Sequence, residues 1–179
     1  MGVPVLTTVG HGTLAADAFA GLVSAAGTDV VVDVRSFPGS RRHPHFGREQ
    51  MQEWLPSFGV AYRWEKALGG FRKPDPRSPN VALRHPSFRG YADHMRTTEF
   101  RAALEGLVAA ASGESVTVMC SEGLWWRCHR RLLADALVLP GTAEVRHILH
   151  DGRSEAHRVT EGARLAEDGL PVYDAGTLF

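Results

Sequence analysis

The amino-acid sequence predicts an α/β fold, a Rossmann-like three-layer sandwich with helices on both faces of a mostly parallel sheet of about five strands. Two observations predict it. Short apolar segments alternate along the chain with segments whose apolar residues recur at helical spacing. The apolar segments are nearly continuous, as in DVVVDV at 29–34, which is typical of parallel strands covered on both faces. A chain of 179 residues suits one domain better than two, so we expect a single α/β domain over 1–179.

The predicted elements follow in order along the chain. We expect strands over 3–9, 29–34, 60–64, 115–120 and 144–149 and helices over 14–26, 48–58, 97–112 and 127–139. Thr13 and Thr97 are the expected N-caps of the first and third of these helices. Gly27 is placed to end the first helix, and Pro56 is expected to end the second one early.

The segment 65–90 is expected to be irregular, because four prolines and the pair Gly69-Gly70 interrupt it. A loop of that length in a compact domain is usually a functional lid or a mobile segment, so we expect 71–87 to be more mobile than the sheet. Short helices are expected in YADHM at 91–95 and in the tail, 150–179, before VYD.

Composition excludes several classes of protein. Lys and Arg number 20 against 20 Asp and Glu, so the whole chain has no strong attraction for nucleic acid or for a membrane surface. No stretch approaches the roughly 18 apolar residues of a membrane span. The two cysteines are too few for a disulfide scaffold and are expected to be free thiols. We therefore expect a cytoplasmic protein with no membrane partner.

Charge is nevertheless unevenly distributed. The segment RSFPGSRRHPHFGR at 35–48 holds four arginines and two histidines and no acidic residue. Such a local patch attracts an anion even when the chain is neutral. Arg35, Arg41 and Arg42 are therefore candidate ligands for a small anionic or nucleotide-like molecule.

Parallel sheets bind their ligands outside the carboxyl ends of the strands, and this places further candidates together. His11 follows the first strand. Asp33 lies at the end of the second strand and Ser36 follows it, while Cys120 ends the fourth strand and Glu122 follows it. Glu122 and His11 are the best acid–base candidates, because burial can tune the pKa of both. Structural alternatives stay open: a salt bridge of Glu122 to Arg127 or Arg130, and a turn role for the glycine-flanked His11, whose loop also resembles a phosphate cradle.

The two cysteines admit several interpretations. Cys120 ends a strand before a helix, where a thiolate is stabilised, so it is either a nucleophile or a small buried apolar residue. Cys128 is expected on the helix, on the same face as Leu132 and in the core. A redox disulfide is an alternative if the Cα atoms come within about 7 Å. Cys-x7-Cys-His is not a standard zinc spacing, and adjacent Cys128 and His129 are not expected to face one metal, so the sequence predicts no metal site and names no cofactor.

Four segments resemble the bacterial and archaeal family called domain of unknown function 488. They are TVGHGT (8–13), DVRSFPGSRRHPHF (33–46), FRGYADHMRTTEFRAAL (88–104) and MCSEGLWWRCHRRLLADAL (119–137). The resemblance implies an α/β domain without an assigned activity. Most of its motif positions fall on residues already singled out, and the others are Pro44, Phe46 and His129; the resemblance adds His129 and Arg130 as candidate ligand-binding residues. One departure is Gly12, where the family more usually has serine.

Three functions follow as hypotheses. The sequence favours a small α/β enzyme of unassigned reaction that binds a phosphate- or nucleotide-like anion and uses His11, Asp33 or Glu122 as acid or base. The first alternative is thiol chemistry at Cys120, by faint analogy with rhodanese and phosphatase loops, although C-x6-R is one residue longer than the phosphatase motif. The second is a non-catalytic nucleic-acid-binding module, which the neutral net charge disfavours.

Overall fold

The computed structural model describes residues 2–174 and contains a six-stranded sheet. Its strands stand in the spatial order β3-β2-β4-β1-β5-β6, and the first five are parallel while β6 runs antiparallel to β5. The strands are β1 (Val5–Gly10), β2 (Val30–Asp33), β3 (Ala61–Trp64), β4 (Val116–Cys120), β5 (Glu144–Ile148) and β6 (Ser154–Ala156). The predicted α/β sandwich with a mostly parallel sheet is confirmed.

Five α-helices accompany the sheet within residues 2–174. They are α1 (Ala16–Ala25), α2 (Arg48–Trp54), α3 (Pro86–His94), α4 (Thr98–Ala111) and α5 (Arg130–Val138). Short 3₁₀ turns lie at Pro44–Phe46, Leu55–Phe58, Lys66–Leu68 and Trp125–Arg127. None of the helices in this part of the chain combines the length and apolar character that crossing a membrane requires.

Alternation along the strands divides the core into two layers. Val30 and Val32 pack into the layer that includes Phe100 of α4 and Leu132 of α5, whereas Val31 between them packs into the other layer with residues of α1 and α2. Successive strand side chains point to opposite faces, so a strand buried on both faces must be apolar throughout. This is the physical reason for the VVV run.

Two helix boundaries differ from the prediction. The N-cap of α1 is Ala15, which makes no side-chain capping bond, so the expectation for Thr13 is wrong; Thr97 does cap α4, accepting a hydrogen bond from the Phe100 N–H. Helix α5 begins at Arg130, three residues later than expected, because a 3₁₀ turn and an extended Cys128 precede it. Cys128 therefore does not lie on the helix.

The segment 65–90 and the tail also differ. Helix α3 starts at Pro86, inside the segment expected to be irregular, because proline suits the first helical position and the His85 ring accepts a hydrogen bond from the Ser87 N–H. Residues 71–85 have no helix or strand and are tied to Asp93, whose carboxylate accepts bonds from the Asp75 N–H, Ser78 and Asn80. The expected tail helix is absent from 150–174, where β6 and the antiparallel pair β7 (Arg164–Leu165) and β8 (Pro171–Val172) form instead.

Candidate functional site

A cleft of about 960 Å³ opens at the carboxyl ends of β1, β2 and β4. Its walls come from the loops after these strands, from 36–43, from Gly70-Phe71 and from the start of α3. The cleft is lined by seven of the ten candidate site residues predicted from the sequence, namely His11, Arg35, Ser36, Arg42, Cys120, Glu122 and His129. The strand-edge rule therefore brings most of the candidates to one place.

Three candidates lie elsewhere. Arg41 lines a neighbouring surface depression, with Arg48 and Glu49, instead of the cleft. Asp33 and Arg130 are buried beneath the cleft, with 0% and 1% of their surfaces exposed. Neither buried side chain is among those that line the cleft.

Asp33 holds Arg35 in place. The Asp33 carboxylate accepts bonds from the Arg35 N–H at 3.0 Å, from Arg35 Nε at 2.9 Å and Nη2 at 2.6 Å, and from the Tyr62 hydroxyl at 2.6 Å. Arg35 Nη2 also donates to the Phe46 carbonyl at 2.7 Å. The pair is buried, so the Arg35 charge is largely compensated by Asp33 before any ligand arrives. Asp33 is thus a positioning residue in this geometry.

His11 is a neutral imidazole at neutral pH. Burial lowers its pKa from 6.5 to about 4, and the nearby Arg35 charge adds to the effect. Nδ1 lies 2.9 Å from the Gly12 carbonyl, which can only accept, so Nδ1 carries the proton. Nε2 then accepts from Arg35 Nη1 at 3.3 Å, and Phe46 stacks on the ring at 4.2 Å. A proton reaches Nε2 only by displacing this guanidinium N–H.

The loop around His11 is joined to the loop after β4 by main-chain bonds. The N–H groups of His11 and Gly12 donate to the carbonyls of Cys120 and Ser121, both at 2.9 Å. These two donors are therefore used within the protein and do not point into the cleft as free donors for a phosphate. Gly12 has φ of +50°, and a Cβ there would lie 2.8 Å from His150, which accounts for glycine where relatives are expected to have serine.

The two thiols and His129 lie at the floor of the cleft. The Sγ atoms of Cys120 and Cys128 and a ring nitrogen of His129 all lie within 4.8 Å of one another. His129 Nδ1 is 3.9 Å from Cys120 Sγ and 3.7 Å from Cys128 Sγ. The expectation that Cys128 and His129 do not face one metal is wrong: Cys128 is extended, His129 is the N-cap of α5, and both side chains approach the Cys120 sulfur.

The environments of the two thiols are unequal. A hydrogen bond with Cys128 and then burial raise the pKa of Cys120 well above the usual value. Burial alone would raise the pKa of Cys128, but the bond from Cys120, the nearby imidazole of His129 and the charge of Arg130 reverse that effect and lower it. Arg130 donates to Cys128 Sγ through its main-chain N–H at 3.5 Å and through Nε at 3.4 Å. The two N–H donors of Arg130 and the lowered pKa make Cys128 the more readily ionised thiol of the pair, whereas the sequence analysis considered only Cys120 as a nucleophile.

Arg130 links the thiols to the rest of the floor. Its guanidinium donates to Thr8 Oγ1 at 3.2 Å and also to the Glu122 carbonyl. The Glu122 side chain forms no ion pair with Arg127 or Arg130 within the part of the chain described, and its Oε1 accepts a bond from the Leu124 N–H at 3.1 Å. Glu122 is half-buried on the cleft wall.

Several residues that line the cleft are not among the candidate site residues predicted from the sequence. They are Arg127, His43 and His85, together with the exposed aromatic side chains Phe37, Phe71 and Trp126. Phe71 is 82% exposed and has φ of 57°, a left-handed conformation that is strained for a bulky residue. The pair Trp125-Trp126 was a usable signal: Trp125 is buried and stacks on His147, and Trp126 turns outward into the cleft.

Comparison with known proteins places the chain in a family. Residues 15–137 match the model of "Domain of unknown function DUF488". The chain belongs to the DUF488 family. This span includes α1 to α4, all of α5 except its last residue, and most cleft residues, whereas the His11 loop and β5 lie outside it. No curated protein and no solved structure matches the chain significantly.

Proposed function

We propose that this DUF488 protein is an enzyme that binds a phosphate- or nucleotide-like anion in the cleft at the carboxyl edge of its sheet. The charge of the cleft lining carries the proposal: Arg42 and Arg127 are exposed there and form no ion pair among residues 2–174, against the single carboxylate of Glu122, while Arg35 is already paired with Asp33. A concave surface lined by one sign of charge concentrates ligands of the opposite sign.

Two arginines are available for direct contact with the anion. Arg42 and Arg127 are both exposed within the cleft lining. Arg35 contributes less, because its guanidinium is already bonded to Asp33, Phe46 and His11. Guanidinium groups bind phosphate oxygens in pairs of parallel hydrogen bonds, which suits a terminal phosphate held between Arg42 and Arg127.

The aromatic residues around the cleft favour a ligand that also has a flat ring. Phe37, Phe71 and Trp126 are 73%, 82% and 45% exposed and belong to three different loops around the cleft. Exposed aromatic side chains beside a basic groove stack on nucleobases irrespective of their sequence. A mononucleotide offers both a phosphate and a ring, and it matches the cleft better than inorganic phosphate does.

Glu122 is the acid–base group in this proposal. Its carboxylate lies on the wall of the cleft, on the loop directly after β4. The Nε2 atom of His11 is held by Arg35, so His11 orients that guanidinium instead of moving a proton in the resting state. Asp33 does not contact the ligand in this proposal and acts only by holding the Arg35 guanidinium in place.

The proposal is tested by titrating the protein with AMP and with inorganic phosphate in a calorimeter. Arg42→Gln is expected to weaken AMP binding by at least about 10-fold, since a hydrogen bond to a charged group is worth about 1.5–3 kcal/mol. Arg41→Gln is the matched control, because this adjacent arginine lies outside the cleft and its loss should change the affinity little. Equal weakening by the two variants, or no binding by the unaltered protein, would refute the cleft as an anion site.

A second candidate function is thiol chemistry on the same ligand. The hydrogen bonds from Arg130 to Cys128 Sγ favour it, since a thiolate stabilised by N–H donors is the nucleophilic form. Cys128 would be the attacking group, with Cys120 as its buried neighbour. Whether this thiol pair binds a metal decides whether a free nucleophile remains.

A further inference from the structure

We propose that Cys120, Cys128 and His129 form a binding site for a thiophilic divalent metal ion such as Zn²⁺, with the remaining coordination position facing the cleft. This site goes beyond the proposed anion binding and does not depend on it. Two sulfur atoms and one imidazole nitrogen are a ligand set that zinc takes in catalytic sites, where a fourth position stays open to water or substrate.

The spacing of the three ligand atoms fits tetrahedral coordination. Zn–S bonds of about 2.3 Å and Zn–N bonds of about 2.0–2.1 Å place a nitrogen and a sulfur about 3.6 Å apart in a tetrahedron. The corresponding distances from His129 Nδ1 are 3.7 Å to Cys128 Sγ and 3.9 Å to Cys120 Sγ. The two sulfur atoms lie within 4.8 Å of each other, against about 3.8 Å in a tetrahedral site, so closing around the ion moves them together by at most about 1 Å.

His129 is oriented as a metal-binding histidine is. Its Nε2 lies 3.1 Å from the Val34 carbonyl, which only accepts hydrogen bonds, so Nε2 carries the proton of the neutral ring. The lone pair is then on Nδ1, the atom that faces the sulfurs. Metal-binding histidines commonly donate their other ring N–H to a backbone carbonyl in this way.

The surroundings hold the ring and one sulfur in position. Tyr91 packs against the His129 ring at 4.9 Å, and Gly70 leaves the space the ring occupies, since a Cβ there would lie 2.9 Å from Nδ1. The two N–H bonds from Arg130 to Cys128 Sγ supply the outer support that ligating thiolates require. All three ligand residues line the cleft, so the ion has a path of entry.

Metal binding changes what the thiols can do. Any thiol proton that either cysteine still holds is released to solvent as its sulfur ligates the ion, and both sulfurs are then committed to the metal. The open position lies beside Glu122 and the arginines of the cleft wall. A ligated pair excludes the nucleophilic role of Cys128, so metal binding and thiol catalysis are mutually exclusive at this site.

The experiment uses the full chain, reduced and dialysed against chelator, then against Zn²⁺, with bound metal measured by mass spectrometry. One equivalent of Zn²⁺ is expected. Cys128→Ala, Cys120→Ala and His129→Gln should each weaken binding by at least about 100-fold, more than the 10–100-fold typical of supporting residues. His43→Gln, which removes another cleft histidine outside the three, is the matched control and should keep the full equivalent.

A second measurement needs no variant. Co²⁺ added to the unaltered protein should give the thiolate-to-metal charge-transfer band and the intense visible bands of a tetrahedral site. Absence of stoichiometric Zn²⁺, absence of the charge-transfer band, or retention of Zn²⁺ by both cysteine variants would overturn the proposal. Failure of the anion site is separable, because Arg42→Gln is expected to keep Zn²⁺ whether or not AMP binds.

Discussion

Replacement of Asp33 by Asn tests how the floor of the cleft is held together. The carboxylate accepts four hydrogen bonds, three from Arg35 and one from the Tyr62 hydroxyl. An amide retains one accepting oxygen and turns an NH₂ group toward these donors. At least one bond to the guanidinium is lost, and the Arg35 charge is left buried with no compensating anion.

Removing one partner of a buried ion pair costs about 3–5 kcal/mol. Asp33 is 0% and Arg35 6% exposed, so the full range applies to the free energy of unfolding. For a chain of this size each kcal/mol lowers Tm by roughly 2–4 °C, which predicts a fall of roughly 6–20 °C. Urea denaturation and differential scanning calorimetry measure the two quantities independently.

The chain contains its own control. Asp151 and Arg153 repeat the Asp-x-Arg arrangement on the surface, with bonds from the Arg153 N–H at 3.0 Å and from Nε at 2.8 Å. This pair is exposed to solvent, so Asp151→Asn should change stability far less than Asp33→Asn. If the two variants lose the same stability, or if Asp33→Asn loses less than about 1 kcal/mol, burial is not what gives the Asp33–Arg35 pair its importance.

Two further predictions concern pH and the glycine at the end of β1. Burial and the neighbouring His157 lower the pKa of His147 from 6.5 to about 3, so the unfolded chain binds this proton first. The free energy of unfolding should therefore fall as pH drops from 6.5 toward 3, by up to about 1.4 kcal/mol per pH unit. Urea denaturation at several pH values measures this, and a His147→Gln variant whose urea midpoint keeps the same slope against pH would contradict the reasoning. A Cβ at Gly10 would lie 1.8 Å from the Glu122 carbonyl oxygen, so Gly10→Ala should cost more than about 3 kcal/mol, whereas Gly21→Ala, in open space on α1, should gain about 0.5–1 kcal/mol in thermal denaturation.

Local pattern was enough to predict the sheet and the location of the site. The central strands are apolar at every position because both faces are covered, and the loops at their carboxyl ends carry the polar residues. The short strands β6 to β8 were not predictable in this way, because their partly exposed or two-residue segments carry no clear period. Their structure comes from pairing partners instead.

The chemistry of the floor depends on geometry that spacing does not encode. The convergence of Cys128 and His129 on Cys120 arises from a 3₁₀ turn at Trp125–Arg127 and an extended residue before α5, where the sequence pattern indicates continuous helix. The compensation of Arg35 by Asp33 likewise depends on side-chain direction: Asp33 ends β2 and Arg35 follows it, and their positions in the sequence make both equally plausible ligand-binding residues.

Two main-chain hydrogen bonds join the His11 loop to residues 120 and 121, and they affect which parts of the cleft can change in sequence during evolution. Any residue except proline supplies a backbone N–H group. The distance between the His11 imidazole and the thiols therefore does not depend on which side chains form the walls. Apart from the loop after β4, the walls come from segments at 36–43, 70–71 and 85–88. The wall segments can therefore change while the floor of the cleft stays the same. A protein designer who seeks another ligand would vary these segments and keep the His11 loop and the loop after β4 unchanged.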